Sequence, residues 1–148
     1  AVLKGTVRSL NEETRALVSA LLEKTAVQVA ALHGCTAEVT DIRVSGAVTN
    51  DSAATELARA CAREIAPESA LGEQRTMMLG DDFADYGAVA PYCYAQVGIA
   101  DPGKGTDAPH HSSRFRVDED ALPLCVKWMT SFALRACETW PAAKKNAK

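Results

Sequence analysis

The feature that most constrains the fold is an apolar helical stripe between two strand-like segments. The stripe consists of Val18, Leu21, Leu22, Thr25, Val29 and Leu32, which recur at the spacing of one helix face. Residues 1–9 and 36–45 flank it and are predicted to be strands, with Ile42 and Val44 alternating inward. A strand–helix–strand unit of this size cannot bury its own faces. The pattern therefore predicts half of an α+β sandwich that needs a further partner.

Local signals set the predicted boundaries of the helices. Asn11 is the predicted N-cap of the first helix and Gly34 its left-handed C-terminal residue. A second helix is predicted to start at Thr49–Ser52 and to stop at Pro67, and a last helix is predicted from Asp118 to Trp140. The remaining predictions are strands over 73–79 and 92–99, a helical segment over 81–86 and a frayed tail over 141–148. The predicted apolar stripe of the last helix is Leu122, Val126, Met129, Ala133, Ala136 and Trp140.

Composition and charge exclude several classes of partner. The 148 residues carry a formal net charge of −3 with scattered basic residues, so no nucleic-acid partner is expected. No apolar run approaches the roughly 20 residues that span a bilayer, so no membrane partner is expected. The five cysteines are widely spaced without a CxxC pair, which is typical of reduced thiols in a cytoplasmic protein.

Two segments carry candidate metal chemistry. His110 and His111 are adjacent in a predicted loop, and Asp81 and Asp82 form a carboxylate pair upstream. Each has a simpler interpretation, since a loop histidine is often only solvated and the aspartates fit a helix N-cap and first turn. His33 is the one other histidine and fits the C-terminal end of its helix. A complete site must therefore draw on residues elsewhere.

The order of five motifs resembles a known family. The motifs are Gly5-Thr6-Val7-Arg8, Thr49-Asn50-Asp51, Gly80-Asp81-Asp82-Phe83, Pro91 with Gly98, and His111-Ser112-Ser113-Arg114-Phe115. Their succession over residues 3–135 is similar to the C-terminal half of the metal-dependent aminoacylase/carboxypeptidase family, of hippurate-hydrolase and indole-acetyl-amino-acid-hydrolase type. Three residues depart from the family pattern: Asp81 replaces Glu, Tyr92 replaces Gly after Pro91, and Ser113 replaces Pro.

The resemblance implies a fold and a division of the chain. The fold class is α/β, in which residues 1–48 are the remnant of a ferredoxin-like lid and dimerisation domain. Residues 49–148 are the C-terminal portion of a zinc-peptidase-like α/β catalytic domain. The implied partners are the missing N-terminal half of the same protein and a second copy of the chain, bound through the lid.

The resemblance also implies a reaction and its residues. The full protein is expected to hydrolyse the amide bond of a small N-acyl amino acid or peptide with one or two divalent ions: zinc, manganese or nickel. His111 matches the family's last metal ligand, because it stands four residues before Phe115, with His110 as the alternative. Asp81, Asp82, Arg8 and Asn50 are assigned to the substrate pocket, with a structural salt-bridge or capping role as the alternative for Arg8 and Asn50. No catalytic residue is expected in this chain, since the family's general base precedes the lid.

A non-catalytic interpretation stays open from the sequence. The chain is then a truncated module that acts in self-association or as a structural fragment. Unpaired edges of an incomplete lid sheet would favour such association.

Overall fold

The computed structural model describes residues 1–72 and 75–140, and in these residues regular structure is helical. Three α-helices are present: α1 over Glu12–Leu32, α2 over Ser52–Arg63 and α3 over Leu122–Thr139. Four short 3-10 helices complete the regular structure, over Glu68–Ala70, Asp82–Ala88, Pro102–Lys104 and Glu119–Ala121. No helix in the described part of the chain is both long enough and apolar enough to cross a membrane.

The predicted α/β fold class, with its ferredoxin-like lid, is wrong for the described residues. Residues 1–9, 36–45, 75–79 and 92–99 contain no strand, and neither does any other part of 1–72 and 75–140. Residues 73–74 and the predicted tail 141–148 lie outside the described residues. The physical reason is that alternating apolar residues give a segment one apolar face but do not by themselves form a sheet. A strand forms when successive backbone N–H and C=O groups pair with a neighbouring strand, and the described parts of these segments make no such run of pairs.

The predicted limits of α1 are confirmed. The Asn11 side chain accepts the Thr14 N–H at 2.8 Å, and Gly34 adopts a φ of +68° beyond the helix end. However, no residue of α1 is buried, and Leu21 of the apolar stripe is 50% exposed. The stripe is therefore a helix face without a covering layer in the described structure, as expected for a unit that cannot bury itself.

The buried core lies on α2 and consists of small residues. Asp51 caps this helix by accepting the Ala54 N–H at 2.8 Å. Ala54, Ala58 and Cys61 are the buried apolar residues of the described structure. Because these side chains are short, a bulky partner can approach the α2 backbone closely.

That partner is Trp128 of α3, which corrects the predicted stripe of the last helix. The indole Nε1–H donates to the Ala58 carbonyl at 2.8 Å, and Cys125 and Phe132 are half-buried on the same face. Predicted stripe members Val126 and Met129 are instead 64% and 69% exposed. The packed face is rotated by about one residue, or roughly 100° around the helix, because the large indole rather than the aliphatic stripe fills the space above α2.

Trp128→Ala is expected to loosen α2 strongly. The substitution removes one hydrogen bond and most of the packing over Ala58, at a cost of about 2–3 kcal/mol. Hydrogen exchange of α2 amides in the native-length protein should accelerate roughly 30-fold. Met129→Ala, on the exposed side of α3, is the control and should change stability by less than about 0.5 kcal/mol. Equal protection of α2 in both variants would contradict the Trp128–α2 packing.

The chain divides into two compact units. The first joins residues 1–49 to 75–92, and the described part of the second joins 50–72 to 93–140. The predicted domains 1–48 and 49–148 stay a prediction about the family fold.

Candidate functional site

His111 lies in a tight turn of the second unit. The Ser112 N–H donates to the Pro109 carbonyl at 3.2 Å, which closes a four-residue turn with His111 at its third position. His111 has a φ of +63°, the feature of a type II turn that normally requires Gly or Asn there. A left-handed backbone at a histidine costs of order 1 kcal/mol. The turn therefore holds an exposed imidazole in a conformation that its own residue type disfavours.

The neighbouring His110 is engaged inside the same loop. Its ring packs edge-on against Phe115, with centroids 4.9 Å apart and planes at 77°. Ser112 organises the segment between them, since its carbonyl accepts the Phe115 N–H at 3.0 Å and its Oγ accepts the Arg114 N–H at 3.2 Å. His110 thus has a ring partner in the loop, whereas His111 makes no hydrogen bond within the described residues.

The predicted pocket residues Asp81, Asp82 and Arg8 belong to the first unit. Asp81 caps the 3-10 helix Asp82–Ala88 by accepting the Phe83 N–H at 2.9 Å, which confirms a helical segment at this position. Asp82 is exposed. The Arg8 guanidinium lies on Gly80, where a methyl group would stand 2.6 Å from Nη1. The structure therefore brings Arg8 to the start of the Gly80–Phe83 motif.

Tyr92, which departs from the family pattern, is the centre of this region. Its ring stands edge-on to Phe83 at 5.3 Å, and its hydroxyl accepts the Thr49 N–H at 2.9 Å. The ring also occupies the space beside Gly87, where a methyl group would meet Cε1 at 2.8 Å. The sequence marks Tyr92 as a departure from the family's Gly and predicts no role for it. The sequence signal for this packing is the combination of a large aromatic residue at position 92 with a glycine at position 87.

Asn50 ties two segments of the second unit together. Its Nδ2 donates to the Tyr94 carbonyl at 2.9 Å, and its Oδ1 accepts the Tyr94 N–H at 2.7 Å. The oxygen and the nitrogen of the Asn50 amide are thus both hydrogen-bonded to backbone groups. Asn50 therefore holds the backbone of Tyr94 in place.

The described residues do not complete a metal site. No group of three or more His, Cys, Asp or Glu side chains within 1–72 and 75–140 is arranged to hold an ion. His111 has the exposure and the donor type for one ligand, but a single imidazole is not a site. The residues present therefore do not by themselves fit the metal centre that the family resemblance implies.

Comparison with known proteins decides the family. Residues 3–135 match peptidase family M20/M25/M40. The chain belongs to this family. No solved structure matches the M20-family chain.

Several relatives of the M20-family chain carry the names of hydrolases. A protein of Sinorhizobium fredii named as an uncharacterized hydrolase is 34% identical over 121 residues, 82% of this chain and 30% of that protein. Thermostable carboxypeptidase 1 of Saccharolobus solfataricus is 30% identical over 125 residues, 84% of this chain and 31% of that protein. N-acetylcysteine deacetylase of Bacillus subtilis is 29% identical over 139 residues, 94% of this chain and 35% of that protein. The chain spans about a third of the length of these relatives.

Proposed function

We propose that the chain is part of a metal-dependent hydrolase that cleaves the amide bond of small N-acyl amino acids or peptides. The observation that carries the proposal is the family match over residues 3–135. Relatives named carboxypeptidase and N-acetylcysteine deacetylase support this substrate class, because both names describe hydrolysis of an amide beside an amino acid.

His111 is the residue of this chain that would bind the ion. Its imidazole is exposed on a turn, and its neighbour His110 is held by Phe115. Imidazole nitrogen is an acceptable donor to zinc, manganese or nickel. Such an ion would supply a positive charge that polarises an amide carbonyl and lowers the pKa of a water molecule. We propose that the other ligands and the general base come from polypeptide outside residues 1–148, the N-terminal half of the family fold.

The remaining predicted residues would shape the substrate pocket. Arg8 supplies a positive charge beside Gly80, and Asp82 supplies an exposed carboxylate. Asp81 and Asn50 contribute through the backbone that they hold, at Phe83 and Tyr94 respectively.

The α1 face is the proposed contact with a second copy of the chain. Leu17, Leu21 and Leu22 are 59%, 50% and 49% exposed, and no residue of α1 is buried. Burial of such a face in a dimer removes apolar surface from water, at roughly 25 cal/mol per Å².

The native-length protein is expected to hydrolyse N-acetyl and N-benzoyl amino acids in a metal-dependent way. A chelator should abolish turnover, and added Zn²⁺, Mn²⁺ or Ni²⁺ should restore it. Release of the free amino acid measures the reaction. Turnover that persists after full metal removal would contradict the proposal. An absence of turnover by the metal-loaded protein would favour the non-catalytic module instead.

A further inference from the structure

One side of the 3-10 helix Asp82–Ala88 lines a cavity of the first unit. The cavity has a volume of about 440 Å³, and its lining residues are Asp82, Asp85, Tyr86 and Val89. These residues are spaced three, one and three positions apart, which places them along one side of the segment. The volume lies in the range of roughly 300–1,000 Å³ that small-molecule sites occupy. The proposed pocket residue Asp82 therefore borders a space that can hold part of a small substrate.

Two other positions of the same helix contact the ring of Tyr92. The Phe83 ring, directly after Asp82, has its centroid 5.3 Å from that of Tyr92, with the planes at 86°. Gly87 leaves room for the ring, since a methyl group there would lie 2.8 Å from Tyr92 Cε1. A 3-10 helix has poorer hydrogen-bond geometry than an α-helix. Contacts with neighbouring side chains therefore contribute to its orientation.

The hydroxyl group of Tyr92 fixes the other end of the ring. It accepts the Thr49 N–H at 2.9 Å, and the Tyr92 side chain is half-buried. Thr49, Tyr92 and the 3-10 helix all belong to the first unit. A displaced ring would lose this hydrogen bond. The hydroxyl group thus favours the ring position that contacts Phe83 and Gly87.

We propose that Tyr92 is a positioning residue for Asp82, an inference that rests on the proposed function, in which Asp82 belongs to the substrate pocket. The Tyr92 ring contacts Phe83, the residue bonded to Asp82, and its hydroxyl group fixes that ring to Thr49. Without the hydroxyl group, the 3-10 helix takes up a wider range of orientations. The Asp82 carboxylate is then less often in the position that the substrate requires, and substrate binding weakens.

Tyr92→Phe in the native-length protein tests the proposal. The substitution keeps the ring and removes one hydrogen bond, so KM for an N-acetyl amino acid is expected to rise about three- to tenfold. The kcat should change by less than about twofold, because the lost contact affects ground state and transition state alike. Hydrogen exchange of the Thr49 amide should accelerate, since its acceptor is gone. Tyr86→Phe removes a hydroxyl group from another ring that contacts Phe83, and should leave Thr49 exchange unchanged.

Gly87→Ala tests the same contact from the helix side. The added methyl group would displace the Tyr92 ring, so KM should rise in the same direction as in Tyr92→Phe. In a Tyr92→Leu background, the same Gly87→Ala change should have a smaller effect, because leucine has no atom in the place of Cε1. Equal effects of Gly87→Ala in both backgrounds would overturn the positioning role. This cycle carries the test even if Tyr92→Phe folds poorly.

Asp82→Asn separates this inference from the proposed function. If Asp82→Asn raises KM and Tyr92→Phe keeps the wild-type KM, the positioning role is wrong and the proposed function stands. If Asp82→Asn keeps the wild-type KM while the wild-type protein hydrolyses the amide, only the pocket role of Asp82 and the positioning role are wrong. If the metal-loaded wild-type protein has no turnover, the proposed function is wrong, and the positioning role is overturned with it.

Discussion

His111→Ala in the native-length protein is expected to abolish amide hydrolysis and to weaken metal binding severely. The substitution removes an imidazole that the turn Pro109–Ser112 presents to the exterior, and no neighbouring histidine can replace it. The His110 ring packs edge-on against Phe115, with centroids 4.9 Å apart. Metal content and turnover of the purified variant measure the effect.

His110→Ala and His33→Ala are the matched controls. His110→Ala removes the ring contact with Phe115 and should cost at most about 10–100-fold in affinity or activity, the range for groups that support a ligand. His33 caps the C-terminal end of α1, so the His33→Ala substitution should leave the metal content unchanged. A dead His110→Ala variant beside an active His111→Ala variant would mean that the ligand assignment is off by one residue.

The 148-residue chain alone is expected to self-associate or aggregate. Its described buried apolar residues are Ala54, Ala58 and Cys61, whereas large apolar side chains such as Leu3 and Leu32 are 97% and 82% exposed. Monomers rarely expose contiguous apolar patches beyond a few hundred Å². Light scattering of the purified chain should report a dimer or larger species. A monodisperse monomer with a sharp two-state melt would contradict this account of its surface.

The helices were predictable because their signals are local. Asn11 lies three residues from the amide that it caps, and Gly34 supplies the left-handed residue that ends α1. The predicted strands were wrong, because apolar alternation at Ile42 and Val44 does not specify a partner strand. The predicted apolar stripe of α3 was wrong for a related reason. Periodicity treats aliphatic residues alike, whereas the position of the indole of Trp128 depends on small residues of α2 about 70 positions earlier.

The assignment of the candidate site stays a prediction. Motif order selected the His111 loop, and the turn that distinguishes His111 from His110 became visible only in the structure. The hydrogen bond from the Thr49 N–H to the Tyr92 hydroxyl was not predictable, since the two residues are 43 positions apart in the chain. Further ligands beside the proposed His111 were not predictable from this chain, because no three His, Cys, Asp or Glu side chains of its described residues are arranged to hold an ion.

Turnover by the purified 148-residue chain is the most direct test of the central claim, which is that this chain supplies one metal ligand and no general base. The chain is incubated with N-acetyl and N-benzoyl amino acids and with added Zn²⁺ or Mn²⁺, beside a His111→Ala preparation made in the same way. The account predicts no metal-dependent release of amino acid above background from either preparation. Metal-dependent turnover by the wild-type chain that is absent from the His111→Ala preparation would exclude contamination and contradict the claim.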